Sequence, residues 1–119
     1  MPELITSYSE IDAPGTPRKI IQEAVGHVNS GEERLSIALM QSPAGWSEPA
    51  QTPDFDEWMV VTKGAVNVAH DDGTLTVAAG QTVLVKAGER VQYSTPEGAE
   101  YVAVCLPAFH PDIVGREAE

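Results

Sequence analysis

The segment GWSEPAQTPDFDEWMVVTKG, residues 45–64, begins and ends on glycine and carries Glu57 seven residues before its second glycine. Gln51 and Pro53 stand where a metal-binding segment of this spacing would carry histidines. Imidazole is a common ligand of protein-bound transition metals. The segment therefore keeps a frame of glycines and one glutamate from which the usual metal ligands are missing.

From residue 35 onward, apolar and polar residues alternate in short runs. LSIALMQ is the first such run, and six more follow, each bounded by a glycine-containing turn or an equivalent turn signal. Many short alternating segments with regularly spaced turns are typical of a β-sandwich or barrel. The pattern predicts an all-β protein with further strands at residues 57–63, 65–70, 74–78, 82–86, 90–94 and 100–106.

The two ends of the chain show weaker patterns. We expect residues 1–34 to form an N-terminal arm with the first hairpin elements. Thr16-Pro17 predicts the start of a short helix, because proline suits the first helical position and apolar residues recur at helical spacing over residues 20–25. Gly26 weakens that prediction, and residues 24–28 could equally form a strand. Residues 107–119 are predicted to be a C-terminal tail that lies across the barrel or a partner subunit, or frays.

Two glycine-framed segments resemble the two sequence motifs of the cupin superfamily. In the first, five residues separate Gly45 from Gln51-Thr52-Pro53, three more precede Glu57, and six more precede Gly64. In the second, the corresponding positions are Gly80, Lys86-Ala87-Gly88, Val91 and Thr95. The resemblance covers residues 35–106 and implies a single cupin (jelly-roll) barrel. DFDEWMVVTKGAVNV and VAVCLPA are also similar to the cupin domain of ethanolamine-utilisation proteins, which lacks the usual histidines.

The resemblance places the metal-ligand positions of typical cupins at Gln51, Pro53, Glu57 and Val91. Proline and valine side chains cannot bind a metal, and the remaining two side chains offer only oxygens. Zn, Fe and Ni favour imidazole or thiolate, and Mn or Mg would need more ligands. We therefore expect no cofactor and no metal. If a divalent metal binds, Gln51 and Glu57 are the candidate ligands.

The cupin frame and strand alternation together predict which side chains face the interior. Glu57 and Tyr93 are the candidate catalytic residues. A buried carboxylate has a raised pKa and can act as a general acid or base, and the tyrosine could donate to a developing oxyanion. An alternative is that Glu57 only hydrogen-bonds the barrel wall. The candidate substrate-binding residues around a mostly apolar cavity are Gln51, Trp46 near its mouth, Met59, Val91 and His27.

The remaining histidines and the cysteine have simpler interpretations. His70 precedes a hairpin turn and His110 lies in the tail, so we expect both at the surface. Cys105 lies in an apolar strand and is predicted to be a buried, inert thiol.

Composition and charge limit the partners. The formal net charge is −11, with 7 Lys and Arg against 18 Asp and Glu and no basic cluster, so nucleic acids and anionic membranes are not expected partners. The chain has no secretion signal and a single cysteine, which predicts a cytoplasmic protein. Trp58 and Val60 would face outward, and this face predicts a homodimer.

The sequence leaves three functions open. The first is a small-molecule lyase, isomerase or cyclase that uses the interior carboxylate without a metal. The second is a non-catalytic module that binds a sugar or an organic acid. The third is a metal-dependent cupin oxygenase or lyase with substitute oxygen ligands. One fold hosts many functions, so the fold alone does not choose among them.

Overall fold

The computed structural model describes residues 1–118 and confirms an all-β cupin barrel. The nine strands are β1 Ser9–Ile11, β2 Ile20–Val25, β3 Ser36–Ser42, β4 Trp46–Ser47, β5 Asp56–His70, β6 Gly73–Ala78, β7 Thr82–Val85, β8 Gln92–Thr95 and β9 Ala99–Leu106. The described residues contain no helix, and therefore none that is long and apolar enough to cross a membrane.

All strand pairings are antiparallel, in the order β1-β2-β3-β9-β5-β8-β4, and β6 and β7 also pair with β5. Strand β5 is long enough to take part in both walls of the curled sheet. Its first half pairs with β7 and β9, and its second half pairs with β6 and β8. The inner faces of the two walls therefore enclose one interior.

The candidate strands at 57–63 and 65–70 are the two halves of β5, joined by a bulge. Before the bulge Glu57, Met59 and Val61 face inward, and after it Val66 and Val68 do. The register against β9 shifts between Val61 and Lys63. One extra residue in a strand shifts the alternation of side chains by one position, so inward-facing residues change from odd to even numbers after it. The extra residue also bends the strand. The bulge thus allows β5 to keep an apolar inner face while it changes walls.

The short helix predicted after Thr16-Pro17 is wrong, because the chain forms strand β2 there. Strand β2 pairs with β1 on one side and with β3 on the other. Lys19, Ile21 and Glu23 are buried while Ile20 and Gln22 are exposed, so the segment alternates with period two. Backbone pairing on both sides outweighs the weak helical pattern, as tertiary context often does.

The C-terminal tail lies along residues 50–54 of the same chain. The amides of Thr52 and Asp54 donate to the carbonyls of Gly115 and Ile113, at 3.0 and 2.8 Å. The Glu117 amide donates to the Ala50 carbonyl at 2.9 Å. These bonds hold the tail across one opening of the barrel, so that a tail side chain can reach the interior.

Gly64, at the bulge of β5, has a steric role that can be tested. Its φ is +73°, and a Cβ atom there would collide with the carbonyl oxygen of Gly98. We predict that Gly64→Ala lowers the free energy of unfolding by about 2–4 kcal/mol, from left-handed strain together with this collision. Urea unfolding followed by circular dichroism measures the change.

Gly80→Ala is the matched control, because Gly80 has a φ of +86° with no atom within 4 Å of the added Cβ. Its expected cost is about 1–2 kcal/mol, from backbone strain alone. Equal losses in the two variants would contradict the steric role of the β5–Gly98 contact.

Candidate functional site

A cavity of about 70 Å³ lies between the walls of the barrel. A water molecule needs roughly 10–15 Å³ on the same measure, so the space fits a molecule of several non-hydrogen atoms. The cavity exists because small side chains meet in one row of the sheet. Ala38 on β3 pairs with Ala103 on β9, which pairs with Met59 on β5.

Glu57 lies on the cavity wall, with 6% of its surface exposed. The Tyr93 hydroxyl reaches it from β8 and donates to Oε1 at 2.9 Å. Cys105 is its register partner on β9, and the thiol lies 3.9 Å from Oε2. Burial raises the pKa of Glu57, and the hydrogen bond from Tyr93 opposes this only in part. The carboxyl is therefore suited to exchange protons closer to neutral pH.

The two neighbours of this carboxyl stay protonated. Burial, reinforced by the negative charge of Glu57, raises the pKa of the Tyr93 hydroxyl well above its ordinary value. The same two causes raise the pKa of the Cys105 thiol. Tyr93 is thus a permanent hydrogen-bond donor at physiological pH. Cys105 is a buried thiol rather than a reactive thiolate, as its apolar strand predicts.

Lys19, immediately before β2, also lines the cavity and is only 5% exposed. Its Nζ donates to the Tyr101 hydroxyl at 3.2 Å and to Met40 Sδ at 3.6 Å, and it lies 4.1 Å from the centroid of the Trp46 ring. Burial lowers the pKa of Lys19, and the nearby Glu48 and Glu57 carboxyls act in the opposite direction. This amine is a functional candidate that the sequence interpretation missed.

The C-terminal tail contributes Arg116 to the same cavity. One of its terminal nitrogens donates to Gln51 Oε1 at 3.2 Å, and the two residues also form a backbone bridge. Its Nε is buried and has no hydrogen-bond acceptor within residues 1–118. Glu48 faces Arg116 and Lys19 across the cavity. Burial raises the pKa of Glu48 although both cations favour its charged form.

The cavity wall is mostly apolar, as expected, but it carries more charged side chains than the sequence predicted. Lys19, Glu48, Glu57 and Arg116 all line it. No ion pair among the described residues joins any two of them. Buried charged groups without a direct partner reduce stability, so such a set indicates a site shaped for binding or chemistry.

The structure brings four of the seven residues predicted for the site to the cavity wall: Glu57, Tyr93, Gln51 and Met59. Trp46 and Val91 are buried in the adjoining core instead of lining the cavity. The Trp46 ring lies behind Lys19, and Val91 exchanges backbone hydrogen bonds with Gln51. Trp46 is only 1% exposed and so is not an open mouth residue.

The placement of His27 in the cavity is wrong. His27 is exposed in the turn after β2, where its ring contacts that of His110 edge to face at 5.1 Å. The Glu23 carboxylate accepts the amides of Val28 and Asn29 in this turn, at 3.0 and 2.8 Å. These bonds turn the chain away from the interior directly after β2. His70 is exposed and His110 partly exposed, in line with the surface positions expected for them.

Of the charged cavity residues that the sequence analysis did not predict, only Lys19 lies in a recognisable sequence pattern. If residues 19–23 are treated as a strand, Lys19, Ile21 and Glu23 share one face, and Ile21 marks it as the inner one. Arg116 reaches the cavity only because the tail pairs with residues 50–54, and Glu48 because of the loop before Gln51. Such contacts between distant segments have no local pattern.

The residues at the typical cupin metal positions do not fit a divalent metal ion. Gln51 Oε1 accepts a hydrogen bond from Arg116, and neither Pro53 nor Val91 has a donor atom in its side chain. Two cationic side chains face the same space. No group of three or more His, Cys, Asp or Glu residues suited to a metal occurs within residues 1–118. Asp54 is exposed, and Asp56 accepts the Ala87 amide outside the cavity.

Comparison with known proteins identifies the family. The family model for ethanolamine utilisation protein EutQ matches residues 8–111. The chain belongs to the EutQ family. This agrees with the resemblance in the sequence and with the barrel, and it covers both the cavity strands and the N-terminal strands. Arg116 lies beyond the matched range.

One sequence relative and one solved structure are similar to most of this chain. A protein of Myxococcus xanthus (strain DK1622) named endoribonuclease YbeY is 39% identical over 106 residues, which is 87% of this chain and 36% of that protein. The chain thus spans about a third of that relative's length. The EutQ-family structure from Salmonella typhimurium LT2, described as a putative ethanolamine utilization protein, has a TM-score of 0.69 at 17% identity, covering 87% of this chain and 98% of that one.

Two enzymes share the fold at low identity. The polyketide cyclase RemF from Streptomyces resistomycificus has a TM-score of 0.77 at 14% identity, over 100% of this chain and 87% of that one. An oxalate decarboxylase from Bacillus subtilis has a TM-score of 0.74 at 18% identity, over 94% of this chain and 31% of that one. At these identities the matches establish the cupin fold alone.

The raised pKa of Glu57 makes a prediction for stability. The unfolded chain releases this proton from about pH 4.5, whereas the folded chain holds it to higher pH. Glu57 therefore lowers the free energy of unfolding as pH rises from 4.5 to the folded pKa. Glu57→Gln lacks this titration, so its stability relative to the parent should increase over that interval and then level off. Urea unfolding at a series of pH values measures the difference.

Glu32→Gln is the control. Glu32 is partly exposed and lies outside the cavity, and the Arg34 guanidinium lowers its pKa to about 2. Its contribution is already complete at pH 4.5 and is lost only as pH falls toward the folded pKa. The difference between Glu32→Gln and the parent should be flat where that of Glu57→Gln rises. A flat difference for both variants would show that Glu57 is not buried as described.

Proposed function

We propose that this cupin binds a small oxygen-containing organic molecule in its cavity and moves a proton on that molecule with Glu57, as a metal-independent lyase, isomerase or cyclase. The observation that carries the proposal is the convergence of Lys19, Glu48, Glu57 and Arg116 on one enclosed space without ion pairs among them. A barrel that only had to fold would gain stability from apolar residues at these positions.

The unpaired Arg116 Nε supports a ligand that carries an oxygen acceptor. A buried N–H group without an acceptor costs about 1–3 kcal/mol. The Gln51 carbonyl occupies only a terminal nitrogen of the guanidinium. A carbonyl, hydroxyl or carboxyl oxygen of a bound molecule would supply the missing acceptor and would orient that molecule against the tail side of the cavity.

Glu57 and Tyr93 supply the groups for proton transfer. The carboxyl is desolvated, which favours acceptance of a proton from carbon or oxygen, and the carboxylic acid so formed can return it. The Tyr93 hydroxyl stays protonated and fixes one carboxyl oxygen at 2.9 Å. Once Glu57 has taken up a proton, the single Tyr93 hydrogen can turn to a substrate oxygen instead and stabilise negative charge that develops there. The pair therefore supports enolisation, elimination or cyclisation of a small carbonyl compound.

Metal independence is part of the proposal and rests on the donor set. Gln51 and Glu57 are the only side chains at the four cupin ligand positions that carry an oxygen, and Lys19 and Arg116 supply positive charge nearby. These cations can take over the stabilisation of an anionic substrate oxygen. A divalent ion would have to compete with both of them.

A non-catalytic binding module is the second candidate. The hydrogen bond from Tyr93 leaves one Glu57 oxygen satisfied without any substrate, which suits a structural carboxyl as well as a catalytic one. In this case the cavity would bind a sugar or an organic acid without changing it. The two candidates differ in whether a proton of the ligand exchanges with solvent.

Deuterium exchange tests the proposal. Pyruvate, glycolaldehyde and dihydroxyacetone are incubated with the protein in D₂O, and proton NMR follows the signal at the carbon next to the carbonyl. We predict exchange above the buffer rate for at least one compound, and a loss of roughly 10²–10⁴-fold in Glu57→Gln. Tyr93→Phe should lose less, because the carboxyl remains.

Glu97→Gln, at an exposed carboxyl, is the matched control and should exchange like the parent. Ligand-observed NMR on the same samples measures binding. Binding without exchange in the parent would favour the binding module. Equal exchange in the parent and in Glu57→Gln would contradict the catalytic role of Glu57.

We also propose that the chain forms a homodimer through the outer face of the wall built by β3, β9, β5 and β7. Apolar side chains lie side by side there in two rows of the register: Leu39, Val102 and Val60, and Ile37, Val104, Trp58 and Leu84. An outer sheet face in water normally carries polar residues. These rows hold no charged residue, so two copies of a strongly acidic chain can meet there without opposing carboxylates.

Light scattering after size exclusion tests this contact. The parent is expected at twice the mass of one chain, and Val60→Lys should shift it to one chain, because a buried ammonium would be desolvated. Leu75→Lys on β6, where the side chain is 41% exposed, is the control and should stay dimeric. A dimer that survives Val60→Lys would place the contact elsewhere. The cytoplasmic location stays a prediction from the sequence.

A further inference from the structure

The chain has three lysines, and only Lys19 is buried. Lys63 and Lys86 are both exposed. Lysine is rarely buried without an ion pair. No ion pair of the described residues involves Lys19, although four carboxyl side chains line the same cavity: Asp12, Glu23, Glu48 and Glu57. Its position therefore requires an explanation beyond the fold.

None of the direct partners of the Lys19 amine carries a negative charge. They are a tyrosine hydroxyl at 3.2 Å, a thioether at 3.6 Å and the face of an indole ring at 4.1 Å. The Tyr101 hydroxyl is also bonded to Ser42 Oγ at 2.8 Å. An amine in such surroundings gives up its proton more easily than one at the surface, and the neutral amine is a nucleophile.

We propose that Lys19 forms a Schiff base with a small aldehyde or ketone that enters the cavity. The proposal deepens the proposed function, since it rests on the cavity admitting a small oxygen-containing molecule and names the class as carbonyl compounds. It does not require Glu57 to remove a proton from carbon. The two ideas can therefore fail separately.

The step balances with groups already in the cavity. Lys19 first gives up a proton, through a water molecule, to a cavity carboxylate, Glu48 or Glu57, since neither lies within ion-pair distance of the amine. The amine nitrogen then bonds to the carbonyl carbon as the carbon–oxygen π bond breaks, and a proton moves from that nitrogen to the carbonyl oxygen, which becomes a hydroxyl. The carboxylic acid returns its proton to that hydroxyl, which leaves as water while the nitrogen lone pair forms the carbon–nitrogen double bond. The ammonium and the carbonyl compound thus give a protonated imine and water, with no oxidant or reductant.

The indole ring suits the product as well as the free ammonium. A protonated imine carries the same single positive charge as the ammonium, at the same nitrogen. The Trp46 face lies 4.1 Å from that nitrogen and attracts a cation in either form. Tyr93 and Glu57 lie on the same cavity wall and could next act on the carbon beside the imine.

Reductive trapping tests the proposal. The protein is incubated at neutral pH with glycolaldehyde or with pyruvate together with sodium cyanoborohydride, which reduces imines to stable secondary amines. Peptide mass mapping locates the modified amines. We expect Lys19 to be modified roughly tenfold or more faster than Lys63 and Lys86, because burial favours the neutral, nucleophilic form of the Lys19 amine. The N-terminal amine appears in a separate peptide.

Two kinds of variant complete the test. Lys63→Arg combined with Lys86→Arg keeps Lys19 and should be modified at the parent rate there. Lys19→Arg and Lys19→Met should lose the internal modification while they retain cooperative unfolding. Modification of Lys19 no faster than that of the exposed lysines, in a protein that unfolds cooperatively, would overturn the proposal.

The same samples separate this inference from the proposed function. Glu57-dependent deuterium exchange without trapping at Lys19 would refute the Schiff base and leave proton transfer by Glu57 standing. Trapping at Lys19 with equal exchange in the parent and in Glu57→Gln would support the Schiff base and refute the role of Glu57.

Discussion

The hydrogen bond from the Tyr93 hydroxyl to the Glu57 carboxyl connects the two walls of the barrel inside the cavity. Strand β8 pairs with the second half of β5, whereas Glu57 lies on the first half. The contact can form only because β5 crosses from one wall to the other at its bulge. The position of the carboxyl, its desolvation and the shape of the cavity all depend on that crossing.

Small side chains on two neighbouring strands, β3 and β9, leave the space that the charged groups surround. With leucines at Ala38 and Ala103, the barrel would have an ordinary filled core and a larger apolar area buried. The observed combination of small residues with buried charges at the cavity lowers the free energy of unfolding. That pattern is common at functional sites and uncommon elsewhere. The N-terminal strand and the C-terminal tail close the site by contributing Lys19 and Arg116.

Part of this arrangement could be predicted from the sequence. Strand alternation and two glycine frames were enough for the barrel, and the position of Glu57 in the frame placed it and Tyr93 inside. The helix expected over residues 17–25 failed because Ile20 and Ile21 fit both periods over so short a segment, and pairing with β1 and β3 decides between them. His27 was misplaced for the same reason. Strand β2 ends at Val25, and the turn that follows leads the chain away from the interior, whereas a helix would have continued past that point.

The full set of charged side chains in the cavity could not be predicted, because they come from segments that lie far apart in the chain. Lys19 comes from the first strands, Glu48 and Glu57 from the middle, and Arg116 from the tail. No motif joins them, and the family model ends before Arg116. In a cupin without the usual histidines, these side chains are the means by which the cavity can polarise a bound molecule.

The central claim is that the cavity works through its own charged side chains and without a metal ion. Elemental analysis of the protein by mass spectrometry, after purification without tag or chelator, tests this claim most directly. Lys19 and Arg116 line the cavity in which typical cupins hold their metal ion, and Gln51 and Glu57 are the only side chains at the usual ligand positions that carry an oxygen. We therefore expect each of Mn, Fe, Ni and Zn at well below one atom per chain. Near-stoichiometric content of any of them, lost together with Glu57-dependent exchange on chelation, would contradict this and would make Gln51 and Glu57 metal ligands.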